Sequence, residues 1–334
     1  MIDKKRIWLF KISTVLFTLA ALVVVFETYF AIHWQREHAA LVNSYDKWDF
    51  VTTRSRDPRL IYTYQPNKHG TNSRGYFDYE YPYSKGKDVF RIVVIGDSIA
   101  QGVIDDGGDI LLKDTAFKIL EEKLNQPKQK PKYEVIVLAR SGYSTSQELI
   151  VLEDEAFRYD PDVILWSYVL NYPAHPLYHN ANGDLGRYFF RPKSHCLQFI
   201  LKTLFIARES IKGKDSPSRD FYEYLHWVYW DQVKQHLNKI GALARARNIP
   251  TFFFIHPVLE SPDNLATYPY GDLHEKLNAA ALQAGLTPLD LSDAFKGRNI
   301  VELRQDSIHP NAEGQRLLGD FLYEKFQSLG AVAP

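Results

Sequence analysis

"VFRIVVIGDSIAQG", residues 89–102, decides how this chain folds. From Val89 to Ile95 it is apolar apart from Arg91 and rich in β-branched side chains. Gly96-Asp97-Ser98 then breaks the run before Ile99, Ala100 and Gln101. A strand without alternating polarity is one covered on both faces, as in a parallel sheet. The turn that ends it admits two readings. Ser98 and Asp97 are favoured caps for a helix that starts there, and Ser98 is equally a hydroxyl presented at a strand end as a nucleophile.

Working outward, the same alternation recurs. "LLKDTAFKILEEKLN" (111–125) has helical spacing, "YEVIVLA" (133–139) is a second strand, and "SQELIVLEDEAFRY" (146–159) is a second helix. "DVILWSY" (162–168) is a third strand. A long helix from Asp220 to Arg247 leads to strand "TFFFI" (251–255), helix "DLHEKLNAAALQA" (272–284), strand "TPLDLS" (287–292) and terminal helix "AEGQRLLGDFLYEKFQ" (312–327). Right-handed crossovers between such strands predict a three-layer α/β/α sandwich on a five-stranded parallel sheet.

In an open parallel sheet the ligand site lies at the carboxyl ends of the strands. That edge gathers Ser98 after the first strand, Ser141 and Gly142 after the second, and Tyr168 and Asn171 after the third. His256 follows the fourth strand, and Asp306 and His309 follow the fifth. These are the types acyl transfer needs: a hydroxyl, an imidazole, a carboxylate and neutral donors. In "RQDSIHPNAEG" (304–314) Asp306 stands three residues before His309, so a tight turn brings its carboxylate to one ring nitrogen while the other faces a nucleophile. Read alone, Asp306 and Asn311 also suit the capping of the helix that follows.

Together these residues resemble the SGNH or GDSL hydrolases. Gly96-Asp97-Ser98 is similar to the family's first block, "LARSGYSTSQEL" (138–149) to its second, "YDPDVILWSYVLNYP" (159–173) to its third, and Asp306-x-x-His309-Pro310 to its last. "NKHGTNSRGYFDYEYP" (67–82) resembles the lead-in of membrane-anchored bacterial members. The resemblance covers residues 89–328. It implies a flavodoxin-like sandwich, Ser98 as nucleophile with Asp306 and His309, and an oxyanion hole of Ser98, Gly142 and Asn171. Two departures are visible: Val169 and Tyr172 replace the usual glycine and aspartate around Asn171, and Val137 and Ala139 replace the usual opening of the second block.

Asp97, Tyr172 and His256 are candidate pocket residues, with local hydrogen bonding as the plainer role of His256. His175 and His179 are four apart, but Pro176 opposes a continuous helix between them, and "DDGGD" (105–109) reads as a turn. No metal and no cofactor is expected. The single cysteine, Cys196, excludes an internal disulfide framework and reads as a small buried side chain.

The amino terminus departs from a soluble pattern. Lys4, Lys5, Arg6 and Lys11 precede an uncharged run from Ile12 to Phe26, with Tyr29, Phe30 and Trp34 beyond. Counted from Ile7 the stretch reaches the roughly 20 residues that cross a hydrocarbon core of about 30 Å. The basic cluster keeps the terminus cytoplasmic, and no small-x-small cleavage site follows, so an uncleaved anchor is expected. The expected organisation is an anchor over 1–34, a spacer and lead-in over 35–88, and a catalytic domain over 89–330 with an insertion at 172–219. In that insertion "CLQFILKTLFIARESI" (196–211) is either buried or rests on the bilayer, and its aromatic residues either pack or stack on sugar rings.

Forty basic and forty acidic residues among 334 cancel, which argues against a nucleic-acid partner. The expected partners are the membrane and a glycan or small acyl ester. The expected activity is a serine esterase outside the cytoplasmic membrane that deacetylates a glycan. A polysaccharide O-acetyltransferase on the same triad and a non-catalytic glycan-binding protein are the alternatives.

Overall fold

The computed structural model describes residues 4–44, 51–102, 110–126, 131–171, 173, 194–212, 214–218, 220–260, 265 and 268–330. In chain order the elements are α1 (Lys4–Ser44), β1 (Thr52–Arg54), β2 (Tyr62–Tyr64), β3 (Val89–Gly96), α2 (Ser98–Gln101), α3 (Ala116–Asn125), β4 (Lys132–Ala139), α4 (Thr145–Asp154) and β5 (Val163–Tyr168). They continue as α5 (His195–Lys212), α6 (Phe221–Arg245), β6 (Thr251–Ile255), α7 (Gly271–Gln283), β7 (Thr287–Asp290), α8 (Ser292–Phe295) and α9 (Ala312–Ser328).

Five parallel strands form one sheet in the order β4-β3-β5-β6-β7. Successive side chains of a strand point to opposite faces, and β3 shows why it has no polar alternation. Val93 and Ile95 enter one core with Leu149 and Leu152 of α4, Val233, Leu237 and Ile240 of α6, and Leu277 of α7. Ile92 and Val94 enter the other with Phe117 and Leu120 of α3 and Leu318, Leu322 and Phe326 of α9. Both faces are covered, so Ile92 to Ile95 are all apolar. The predicted three-layer sandwich is the observed fold.

Two segments differ from the sequence expectation. α1 continues past residue 34 to Ser44, because Gln, Arg, Glu, Ala and Leu after the apolar run are themselves good helix formers. Lys5–His33, 29 residues, is apolar and long enough to cross a membrane. The second predicted helix stops at Asp154, and Ala156–Tyr159 turn as a short 3-10 segment. There the Tyr159 carbonyl accepts from the fully buried Arg91 at 2.8 Å. Burying a guanidinium costs several kcal/mol. Arg91 offsets this with an ion pair to Glu134 at 2.9 Å and bonds to the Tyr83 and Ser84 carbonyls.

Those last two bonds belong to the lead-in, where residues 59–88 form a short strand and turns rather than helix, as their Tyr, Gly, Asn and Pro content predicts. β1 and β2 pair antiparallel, and Tyr62, Tyr64 and Tyr76 are buried against the β4 side of the sheet. β4 is an edge strand with main-chain donors to satisfy. Asp78 accepts from the Val137 N–H at 2.7 Å and pairs with buried Lys118 at 2.5 Å. Burial pushes the Asp78 carboxyl up to about 6, against the pull of Lys118.

The β3 to α2 turn also depends on a close approach. A Cβ on Gly96 would stand 2.7 Å from the Ala100 Cβ and 2.9 Å from the Ser167 Cβ. Gly96→Ala must therefore push α2 off β5 and should cost about 1–3 kcal/mol. A urea unfolding midpoint equal to the unsubstituted protein's would contradict this packing.

Candidate active site

Ser98 opens α2 directly after β3. Its Oγ lies 2.8 Å from Nε2 of His309, and Nδ1 of that ring lies 2.7 Å from Oδ2 of Asp306. The second Asp306 oxygen accepts from the backbone amides of Ile308 at 2.9 Å and His309 at 2.8 Å. One carboxylate thus holds both the ring and the turn that carries it. With Nδ1–H given to Asp306, Nε2 keeps its lone pair toward the Ser98 hydroxyl. Partial burial alone would raise the Asp306 carboxyl. The His309 ring and the two amides outweigh it and hold the group at about 2, so it stays ionised at any ordinary pH.

Neighbouring backbone closes the turn. The Gln305 amide donates to the His309 carbonyl at 2.8 Å, and the Leu259 amide, just past β6, donates to Ser307 at 2.6 Å. The capping role falls to Asn311, which accepts from the amides of Glu313 and Gly314 at the start of α9.

Beneath Ser98 sit two buried acids. Asp97 is wholly inside rather than facing a cleft. Its Oδ1 accepts from the Ile99 amide at 3.0 Å, and its Oδ2 has no partner among the described residues. Burial pushes this carboxyl up to about 6, opposed by the Ile99 amide and the charge on His309. Glu148 of α4 is buried as well. Desolvation first, and the Asp97 charge second, hold it well above the carboxylate range.

The turn after β4 carries Gly142 at φ +73°, a region that favours glycine. Lead-in residues grip the peptide before it. The Ser141 amide donates to the Tyr64 hydroxyl at 2.9 Å and to Gln101 Oε1 at 3.2 Å, and Tyr64 donates to Gln101 at 2.8 Å. The Tyr62 hydroxyl donates to the Ser141 carbonyl at 2.5 Å, and Tyr143 donates to the Tyr62 carbonyl at 2.7 Å. The Ser141 C=O and Gly142 N–H share one planar peptide and point opposite ways. Tyr62 therefore sets the direction of the Gly142 N–H. Sequence reasoning missed Tyr62, Tyr64 and Gln101. Their one signal is the alternate spacing in "IYTYQ" (61–65), which puts both tyrosines on one strand face.

Asn171 is buried beyond β5, and its Oδ1 has no partner among the described residues. His256 pairs with Ser167. It is buried, its Nε2 is 2.8 Å from the Ser167 Oγ, and burial lowers it to about 3, so it is a neutral local partner. Tyr172, His175, His179 and residues 105–109 lie outside the described residues. Cys196 is only partly buried, in the first turn of α5.

Residues 94–317 match the model of the GDSL-like lipase/acylhydrolase family. Several solved structures are similar in fold. The acetyl xylan esterase AlAXEase is 14% identical over 71% of this chain and 99% of that chain, with a TM-score of 0.46. The esterase EstA from Pseudoalteromonas sp. is 15% identical over 72% and 99%, at 0.42. TesA is 15% identical over 72% and 99%, at 0.45. No curated protein sequence matches the chain.

Asp97→Asn keeps the acceptor for the Ile99 amide and removes the titration. Because the folded carboxyl sits near 6 and the ordinary value is 3.8, the folded state binds the proton more tightly between them. Stability of the unsubstituted protein should fall as pH rises through that window, by up to about 3 kcal/mol relative to Asp97→Asn. Urea unfolding at pH 4 and pH 7 reads the difference, and identical pH dependence in both proteins would refute it.

Proposed function

This chain belongs to the GDSL-like lipase/acylhydrolase family, whose members are serine carboxylic ester hydrolases, and on that premise we propose that Ser98 is its nucleophile, His309 its base and Asp306 the orienting carboxylate. The observation that carries the assignment is the unbroken hydrogen-bonded chain from the Ser98 Oγ through both ring nitrogens to Asp306.

In the proposed reaction His309 Nε2 takes the hydroxyl proton while the Ser98 Oγ bonds to the ester carbonyl carbon. The carbonyl π electrons move to oxygen, and the amides of Ser98 and Gly142 with the Asn171 side chain meet that charge. Each donor is worth on the order of 3 kcal/mol in the transition state. The intermediate collapses, the C–O bond to the leaving alcohol breaks, and His309 returns the proton to it. Water, deprotonated by the same nitrogen, then bonds to the acyl carbon, the bond to the Ser98 Oγ breaks, and His309 returns the proton to Ser98 as the acyl group leaves as a carboxylic acid. Asp306 steadies the imidazolium in both halves and itself stays unprotonated.

The proposed substrate is an acetylated glycan at the cell surface or in export. The support is positional. The helix Lys5–His33 is long and apolar enough to cross a membrane, and on the proposed reading it tethers the domain, with the basic residues Lys4, Lys5, Arg6 and Lys11 at its start keeping that end cytoplasmic.

Ser98→Ala should lower kcat by on the order of 10⁴ or more on 4-nitrophenyl acetate, and Asn171→Ala by about 10²–10³. Equal rates for Ser98→Ala and the unsubstituted enzyme would end the assignment, and acetate release from acetylated xylan tests the substrate class. Tyr62→Phe frees the Ser141–Gly142 peptide. It should cost kcat about tenfold, the worth of one hydrogen bond, with KM unchanged. A change confined to KM would mean that the clamp shapes binding rather than the oxyanion site.

A further inference from the structure

Glu27 is the first charged side chain after the uncharged run Ile12 to Phe26 of α1. A carboxylate at that depth is costly unless its lone pairs are filled. Here the insertion fills them. One oxygen accepts from the His195 amide at 2.6 Å and lies 2.9 Å from the His195 Nδ1. The other accepts from the Ser194 hydroxyl at 2.7 Å and the Cys196 amide at 3.1 Å. Ser194 in turn accepts from the Leu197 amide at 3.1 Å. The first turn of α5 is thus capped jointly by its own serine and by a carboxylate of α1. Phe30 adds a ring stacked on Phe199, with centroids 4.4 Å apart.

Away from α1, α5 carries a second apolar face. Leu197, Ile200, Leu201, Leu204 and Ile211 recur at helical spacing and are between 36% and 73% exposed. Arg208, Lys212 and Lys214 near its end are exposed too. An apolar stripe flanked by basic residues is the pattern of a helix lying in a membrane interface.

We propose that α5 is such an interfacial helix, its stripe seated in the outer leaflet of the bilayer that α1 crosses and its basic end turned to lipid phosphates. This rests on the reading of α1 as a membrane anchor. The bilayer is the occupant because of continuity. About 20 residues from Ile7 span the hydrocarbon, so Glu27 stands where α1 leaves it. The capping bonds hold the start of α5 at the same depth. α5 lies in the chain between Asn171 and α6, so its docking gives the catalytic domain a second tether to the membrane.

The test uses the full chain in phosphatidylethanolamine–phosphatidylglycerol vesicles, with and without brominated acyl chains. In a Cys196→Ser background, single cysteines from Leu16→Cys in α1, Leu204→Cys in α5 and Glu324→Cys in α9 carry an environment-sensitive fluorophore. Bromolipid should quench the labels at 16 and 204 and leave 324 unchanged. Adding Glu27→Ala should reduce quenching at 204 but not at 16. Quenching at 16 without quenching at 204 overturns the docking and leaves the anchor intact, whereas no quenching at either position removes both. A label at 204 that is shielded from aqueous iodide yet unquenched by bromolipid places a second copy of the chain on the stripe, and also overturns the proposal.

Discussion

A 2.8 Å hydrogen bond joins Ser98 to His309, two residues 211 positions apart. The rest of the structure is arranged so that this contact can exist. Both groups sit on short turns at the carboxyl edge of one sheet, Ser98 leaving β3 and His309 leading into α9. Neither turn has intrinsic stability to spare. The first is held by Gly96 packed against β5, the second by the Asp306 carboxylate and the backbone of Leu259. The sheet supplies rigidity, and the turns only aim the side chains.

Charge around this contact is graded by burial. Asp306 is half exposed, accepts three hydrogen bonds and remains an anion. Asp97 and Glu148 lie deeper, have fewer donors and resist ionising. The same residue type therefore stands as a permanent counter-charge on one side of the imidazole and as a carboxyl of raised pKa beneath Ser98. Solvent access and hydrogen-bond supply make the difference, since a carboxylate out of water is stable only where donors replace the water.

The segment before β3 is built into the sheet and into the turn after β4. Asp78 closes the β4 edge, Arg91 ties the end of the lead-in to the sheet, and Tyr62 and Tyr64 orient the peptide that presents Gly142. Ligand-facing turns are usually the loosest parts of a fold. Here phenolic hydroxyls remove that looseness by holding the Ser141–Gly142 peptide in one direction.

The sequence alone determined the layers and marked candidates for the chemistry. Unbroken apolar strands at regular spacing require a sheet covered on both sides, and Gly96-Asp97-Ser98 with Asp306-x-x-His309 set out a hydroxyl, an imidazole and a carboxylate by local pattern. It left Ser98 and Asp306 balanced between capping and catalysis, and "CLQFILKTLFIARESI" balanced between core and bilayer. Only the tertiary structure brought Ser98, His309 and Asp306 together and gave the capping of α9 to Asn311, and it exposed the second by showing which face of α5 the catalytic domain leaves uncovered. The tyrosine clamp and the Glu27 cap were equally hidden. A hydrogen bond between residues 79 or 168 positions apart leaves no period in a sequence. Its partners are chosen by the path of the folded chain, not by their neighbours along it.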